Sequence, residues 1–177
     1  MCSAPPEPIL YARLPDGIVV IRVSGKGTYQ QSGGLFHVFE LTRDLQPPPR
    51  YVIDLDQCTT MDSTFMGTLA SIGLHQRREL GSTVVVTNIT QHVRYLLTTL
   101  GLQYILDLRQ GRVEVADPSG CEAFAPARAP EQSKVDQIVM MIEAHQRLVD
   151  IGGQNEIKFE GVLKSLRDSL DREKGHS

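Results

Sequence analysis

The first 115 residues alternate between segments with a strand-like and a helix-like hydrophobic pattern. Residues 9–14 and 18–24 are rich in apolar and β-branched side chains, and the Pro-Asp-Gly sequence between them is typical of a turn. Together they predict a β-hairpin. Leu35, Val38 and Phe39 recur at helical spacing, and the prolines at 47–49 exclude further helix because they lack amide donors.

The remainder of this region predicts buried strands that alternate with helices. Strand-like apolar runs are followed by helical patterns that end at Gly81 and Gly101. The predicted strands are residues 50–55, 82–88, 104–108 and 112–115, and the predicted helices end near residues 80 and 99. The order ββαβαβαβ predicts an α/β fold with a mixed, largely parallel β-sheet covered by α-helices.

The last third of the chain has a different pattern. Residues 116–130 are rich in Ala and Pro and predict a linker or a surface strap outside the sheet. Beyond it, apolar residues at helical spacing predict two amphipathic helices separated by Gly152-Gly153; they are Val135, Ile138, Val139, Ile142 and Val149, then Phe159, Leu163, Leu166 and Leu170. We therefore expect a main domain at 1–115, a linker at 116–130 and a helical extension at 131–177. The extension could pack on its own domain, form a homodimer or bind a partner.

Composition and charge narrow the classes of function. The chain has 177 residues, 41% of them hydrophobic, a formal net charge of −3 and no dense Lys/Arg cluster, so neither nucleic acid nor an anionic membrane is an expected partner. Three cysteines without regular spacing favour a reducing compartment. No secretory leader pattern and no run of about 18 apolar residues is present. These features predict a cytoplasmic protein.

The segment at 61–67, `MDSTFMG`, lies where a predicted strand gives way to a predicted helix. Ser63 occupies the expected N-cap position, where its hydroxyl would accept a hydrogen bond from an amide one turn into the helix. Alternatively, Ser63 could be phosphorylated, because free amides and the helix dipole can hold a phosphate at this end. The added charge beside Asp62 would then repel a docked partner.

Enzymatic readings are weaker. The `SGKGT` sequence at 24–28 lacks the earlier glycine and the Ser/Thr after the lysine of a phosphate-binding loop, so it predicts a flexible loop. Ser63 is not part of a G-x-S-x-G motif, and His75 and His92 fall in predicted helices. No histidines have metal-ligand spacing. We expect a non-enzymatic protein without metal or cofactor.

Residues 9–115 resemble the STAS domain, the fold shared by bacterial anti-sigma factor antagonists and the cytoplasmic tails of sulphate transporters. The resemblance rests on the order of elements, on `YVIDLDQCTTMDSTFMGTL`, on `STVVVTN` and on `LGLQYILDL`. The chain departs from the family where Thr64 is followed by the bulky Phe65, since antagonists usually have a small residue and glycine after the serine.

The resemblance implies a regulator of bacterial transcription. In such antagonists a partner anti-sigma factor with kinase activity phosphorylates the serine, here Ser63, and then releases the antagonist. The residues expected to bind the partner are Gly25, Lys26, Thr60, Asp62, Thr64 and Phe65. The alternative is a non-phosphorylated scaffold or transport-accessory subunit that binds an ATPase or an oligomer partner.

Overall fold

The computed structural model describes residues 8–109 and 124–175, and in this part of the chain it shows a six-stranded sheet. The strands are β1 (Ile9–Arg13), β2 (Ile18–Gly27), β3 (Arg50–Met61), β4 (Val84–Thr87), β5 (Leu106–Leu108) and β6 (Ala125–Pro126). Their spatial order is β5-β4-β3-β2-β1-β6. Strands β2 to β5 are parallel, whereas β1 is antiparallel to both β2 and β6. The prediction of a mixed α/β sheet is confirmed.

Five α-helices accompany the sheet in this part of the chain. They are α1 (Tyr29–Thr42), α2 (Ser63–Leu80), α3 (Gln91–Thr99), α4 (Lys134–Asp150) and α5 (Asn155–Lys174). On β3, alternate residues point to the covered face, and Tyr51, Ile53 and Leu55 are at most 1% exposed. Phe65 and Leu69 of α2 are equally buried in the same core. None of the described helices is long and apolar enough to span a membrane.

The hairpin forms as predicted, and Gly17 adopts a φ of 77° in its turn. Two predictions about the strands next to this hairpin are wrong. Residues 24–27 are not a flexible loop but the end of β2, which pairs with the extended β3 across a register shift. Within the predicted linker, Ala125 and Pro126 pair with β1 and add an edge strand. A two-residue strand carries too little hydrophobic pattern to be recognised in sequence. The predicted strand at 112–115 lies outside the described residues.

The C-terminal helical pair, α4 and α5, packs on the main domain. Helix α4 lies along α2, and α5 contacts α4 and the end of α3. The buried Asn155 donates hydrogen bonds to the carbonyls of Leu100 (2.9 Å) and Leu148 (2.8 Å), which joins the pair to the sheet domain. Of the three readings of the extension, the structure shows packing on its own domain.

The buried stripe of α4 is rotated from the predicted one. Ala144, His145 and Leu148 are buried, whereas Val139 and Val149 are only half-buried. The prediction followed the most hydrophobic residues. The helix instead turns its smallest residue towards α2, because the backbones approach closely there.

Gly67 of α2 makes this close approach possible. A Cβ atom at Gly67 would lie 2.2 Å from the carbonyl oxygen of Ala144, well inside van der Waals contact. Neither backbone can yield without separating the two helices. Glycine at this position is therefore required by packing, although glycine lowers helix propensity.

We predict opposite effects for two Gly→Ala substitutions in helices. Gly67→Ala should lower the free energy of unfolding by about 1–3 kcal/mol, because overpacking outweighs the gain in helix propensity. Gly161→Ala on α5 should raise it by up to about 1 kcal/mol, because nothing lies within 4 Å of the new methyl group. Urea unfolding followed by circular dichroism measures both. Equal stabilisation by the two changes would contradict the close contact.

Candidate functional site

Ser63 lies at the first position of α2, directly after β3. The parallel strands β2 and β3 end side by side here, with Gly27 paired to Met61. We call the surface formed by residues 25–29, 59–63 and 92 the Ser63 end of the sheet. In open α/β sheets, ligands and partners meet the loops at this carboxyl edge of the strands.

Asp62, not Ser63, is the N-cap of α2. Its Oδ1 accepts a hydrogen bond from the amide of Phe65 at 2.9 Å, and its Oδ2 accepts one from the amide of Tyr29 at 2.7 Å. The amide of Asp62 donates to the carbonyl of Gly27 at 2.8 Å. One carboxylate thus joins the start of α2 to the start of α1, and the Ser63 hydroxyl is left for another partner.

That partner is His145 of α4. Ser63 Oγ lies 2.9 Å from His145 Nε2, and His145 Nδ1 lies 2.7 Å from the carbonyl oxygen of Met141. Because a carbonyl can only accept, Nδ1 must carry the ring proton and donate it. In the neutral imidazole Nε2 is then an acceptor, and the Ser63 hydroxyl donates to it. The Met141 carbonyl therefore selects the tautomer that binds Ser63.

The imidazole is enclosed by its surroundings. His145 is 4% exposed, and its ring makes an edge-to-face contact with Phe159 of α5 at 5.1 Å between centroids. Ser63 itself is half-buried, at the border between α2 and α4. The hydroxyl is thus neither sealed in the core nor free, since α4 occupies one side of it.

The other residues expected to bind a partner divide into two groups. Gly25 and Lys26 are exposed at the end of β2, where Gly25 accepts a hydrogen bond from Thr59 Oγ1 at 3.1 Å. Half-buried Thr60 contacts His92 Nε2 of α3 at 3.3 Å. These side chains surround the same edge of the sheet as Ser63.

Thr64 and Phe65 are in the second group, and both are buried. Phe65 is fully enclosed, and its ring lies so close to Gly27 that a Cβ there would be 2.7 Å from it. The bulky residue that departs from the family pattern therefore points into the core and leaves the Ser63 end unobstructed. Contact of these two residues with a partner stays a prediction, although they offer no surface in this conformation.

Cys58 is the other nucleophilic side chain near this end. It is 1% exposed, and burial raises the pKa of its thiol. A buried thiol with a raised pKa holds little thiolate at neutral pH, so it is unsuited to react. Cys58 acts as a small core residue.

Ser63, His145 and the Met141 carbonyl share the order of a nucleophile, a base and a group that orients the base. A hydrolase would also need a cavity that holds the substrate beside the hydroxyl. A groove of about 510 Å³ near α1, α2 and α4 is lined by Phe36, Phe39, Arg43, Ser71, Leu74, His75, Arg78, Glu143 and Arg147. Neither Ser63 nor His145 lines it.

No pattern in the sequence indicated His145 as a partner for Ser63. The two residues are 82 positions apart, and His145 follows hydrophobic residues on a helix whose orientation was unknown. One clue was present: Gly67 lies one turn beyond Ser63, and small residues in a helix allow another backbone to approach.

No protein-family model matches the chain, and no curated protein is significantly similar to it in sequence. The resemblance to the STAS domain thus remains an inference from the order of elements and from the Asp62-Ser63 pair. Among residues 8–109 and 124–175, no three His, Cys, Asp or Glu side chains converge as a metal site would require.

The cap assignment predicts unequal costs for two neighbouring alanine substitutions. Asp62→Ala should lower the free energy of unfolding by about 2 kcal/mol, because it removes the N-cap of α2 and the acceptor for the Tyr29 amide. Ser63→Ala should cost about 1 kcal/mol or less, because it removes one hydrogen bond. Urea unfolding of the two variants beside the parent chain measures the difference. A larger loss for Ser63→Ala would show that the cap has been assigned to the wrong residue.

Proposed function

We propose that this protein is a regulator of the STAS type, similar to anti-sigma factor antagonists, whose binding to a partner protein is controlled by phosphorylation of Ser63. The observation that carries the proposal is the position of Ser63. It is the first residue of α2, beside Asp62 and at the carboxyl edge of the parallel strands. An anionic group is tolerated at a helix N-terminus, because amides and the helix dipole stabilise it.

The surface around Ser63 is suited to a protein partner. Tyr29 at the start of α1 is 42% exposed, and Tyr95, about one turn beyond His92 on α3, is 65% exposed. Tyrosine is enriched among residues that dominate binding energy in protein interfaces, because it buries much apolar area and keeps a polar end. Exposed Lys26 and His92 add polar contacts at the same end. We propose an anti-sigma factor with serine kinase activity as the partner.

Charge explains how phosphate would change this binding. A phosphoserine carries a charge of about −1.5 to −2 at neutral pH, and the carboxylate of Asp62 is adjacent in sequence. Docking would then remove two like-charged groups from water at once. The cost of desolvation and repulsion raises the free energy of the complex and not that of the free protein. The fold therefore persists, while the affinity for the partner decreases.

One observation supports the second candidate, a constitutive scaffold or transport-accessory subunit. The Ser63 hydroxyl already has a partner in His145, which holds α4 against α2. A serine with this purely structural role needs no kinase. The two candidates differ in whether charge at residue 63 alters binding.

We predict that Ser63→Asp weakens partner binding at least about tenfold, or about 1.4 kcal/mol, whereas Ser63→Ala binds within about twofold of the parent chain. The intact chain serves as bait in lysate of its native cells, mass spectrometry identifies the captured protein, and titration with that protein gives the affinities. Thr83→Asp is the matched control, because it adds the same charge at an exposed position directly before β4, at the opposite end of the parallel strands, and should bind within about twofold of the parent chain.

Equal affinities for Ser63→Asp and Ser63→Ala would favour the scaffold. The same preparation also shows whether the modification occurs. Phosphopeptide analysis of the chain isolated from its native cells should find phosphate on the peptide that contains Ser63. Its absence under every growth condition would contradict the proposed switch.

A further inference from the structure

Helix α4 occupies the side of Ser63 that faces away from the sheet edge. The hydrogen bond between Ser63 Oγ and His145 Nε2 is 2.9 Å long. One turn further along α2, Gly67 faces the backbone of Ala144, the residue before His145. The same turn of α4 therefore supplies both the acceptor for the hydroxyl and the closest contact between the two helices.

The 2.9 Å distance between Ser63 Oγ and His145 Nε2 leaves no room for a phosphoryl group between these two atoms. Phosphorylation replaces the hydroxyl proton by phosphorus with three oxygens, so Oγ can no longer donate to His145. When His145 Nε2 is an acceptor, the phosphoryl oxygens would face its lone pair with no proton between them to form a hydrogen bond. To accommodate the group between the two helices, α4 would have to move away from α2, which breaks the close contact between Gly67 and Ala144.

Protonation of His145 would not restore a stable contact. The resulting ion pair would be enclosed between α2, α4 and the Phe159 ring, where His145 is 4% exposed, and the Asp62 carboxylate is close by. Burying a phosphate with two charges against one imidazolium leaves uncompensated negative charge. Once α4 has moved away, the backbone amides of Ser63 and Thr64 at the start of α2 offer the phosphate an alternative partner.

We propose that the C-terminal helical pair is an intramolecular cover for Ser63, and that phosphorylation of Ser63 releases α4 from α2. This inference deepens the proposed function and depends on it for the source of the charge. The kinase acts on the minor state in which α4 has moved away, because it must reach the hydroxyl. Phosphate then holds the chain in that state, which is a shift of population between two pre-existing conformations.

Release exposes a surface of defined chemistry. Moving α4 away uncovers the part of α2 around Gly67, together with the buried side of α4 around Leu148. The polar links from α5 to the main domain are the bonds of Asn155 to Leu100 and of Lys158 to Thr99. They lie close to His145, where α4 meets α5, because Asn155 also donates to the carbonyl of Leu148 and Phe159 contacts the imidazole. Release of α4 from α2 therefore either breaks these bonds or separates α4 from α5.

Hydrogen exchange with mass spectrometry on the intact chain tests the cover without a partner or a kinase. In Ser63→Asp, amides of Lys134–Asp150 should exchange at least about tenfold faster than in the parent chain, while those of β2 and β3 keep their protection. Ser63→Asn is the matched control, because it has the same size without the charge and should exchange within about threefold of the parent chain. Thr59→Asp should leave α4 protected.

Equal protection of α4 in Ser63→Asp and Ser63→Asn would overturn the proposal. A second variant opens the contact without charge: Ala144→Leu places a bulky side chain at the buried position whose backbone contacts Gly67, and should accelerate exchange in α4 and in the first two turns of α2. Glu143→Leu adds the same residue at the adjacent exposed position and should not. If Ser63→Asp also loses protection in β2 and β3, that variant has unfolded more widely and the test depends on Ala144→Leu. Full protection of α4 in Ala144→Leu would then overturn the proposal that α4 covers Ser63.

The two proposals fail in different experiments. If charge at residue 63 weakens partner binding while α4 stays protected, the partner is repelled directly and the cover is excluded. If α4 is released in Ser63→Asp but no partner distinguishes Ser63→Asp from Ser63→Ala, the cover is supported and the proposed control of binding is not.

Discussion

The absence of a side chain at Gly67 determines how the C-terminal helices meet the sheet domain. With any larger residue, the carbonyl of Ala144 could not approach α2, and His145 in the following position would lie beyond hydrogen-bonding distance of Ser63. A glycine inside a helix costs about 1 kcal/mol relative to alanine. Contacts between α2 and α4 must offset this cost, and these contacts lie next to Ser63, the candidate regulatory residue.

Asp62 has the complementary role on the other side of Ser63. By accepting from Phe65 and Tyr29, its carboxylate keeps the starts of α1 and α2 in fixed relation. Ser63 is thus presented by a rigid edge of the sheet and contacted by a separate, later element. Rigid presentation matters for a regulatory residue, because a modification can change what docks there without disturbing the core.

The sequence predicted the parts of this structure that depend on local pattern. The hairpin, the order of strands and helices, and the helix boundaries at Gly81 and Gly101 follow from turn residues and hydrophobic periodicity. The site was predicted only in part: Ser63 was placed at the start of α2, but the cap was assigned to it because a serine and an aspartate are almost equally good N-caps. The choice depends on Tyr29, 33 residues away, whose amide the carboxylate also binds.

The contact of His145 with Ser63 depends on tertiary packing and could not be read from periodicity. Hydrophobicity favoured a buried stripe through Val139 and Val149, whereas α4 turns Ala144 and His145 inwards. Such a rotation costs little apolar area when neighbouring faces of a helix are both aliphatic. Close approach at Gly67 then decides between them, and it is a property of two helices far apart in the chain.

The energies involved make a two-state cover physically reasonable. Leu148, Phe159 and Leu163 are buried, each worth about 1.5–3 kcal/mol, but part of that area lies between α4 and α5 and is kept if the pair separates from α2 together. Only the part facing the main domain resists release. A buried, poorly paired charge costs several kcal/mol, and about 5.5 kcal/mol is enough to reverse a population from 1:99 to 99:1. One phosphate therefore has the right magnitude to compete with the contacts that hold α4 on α2.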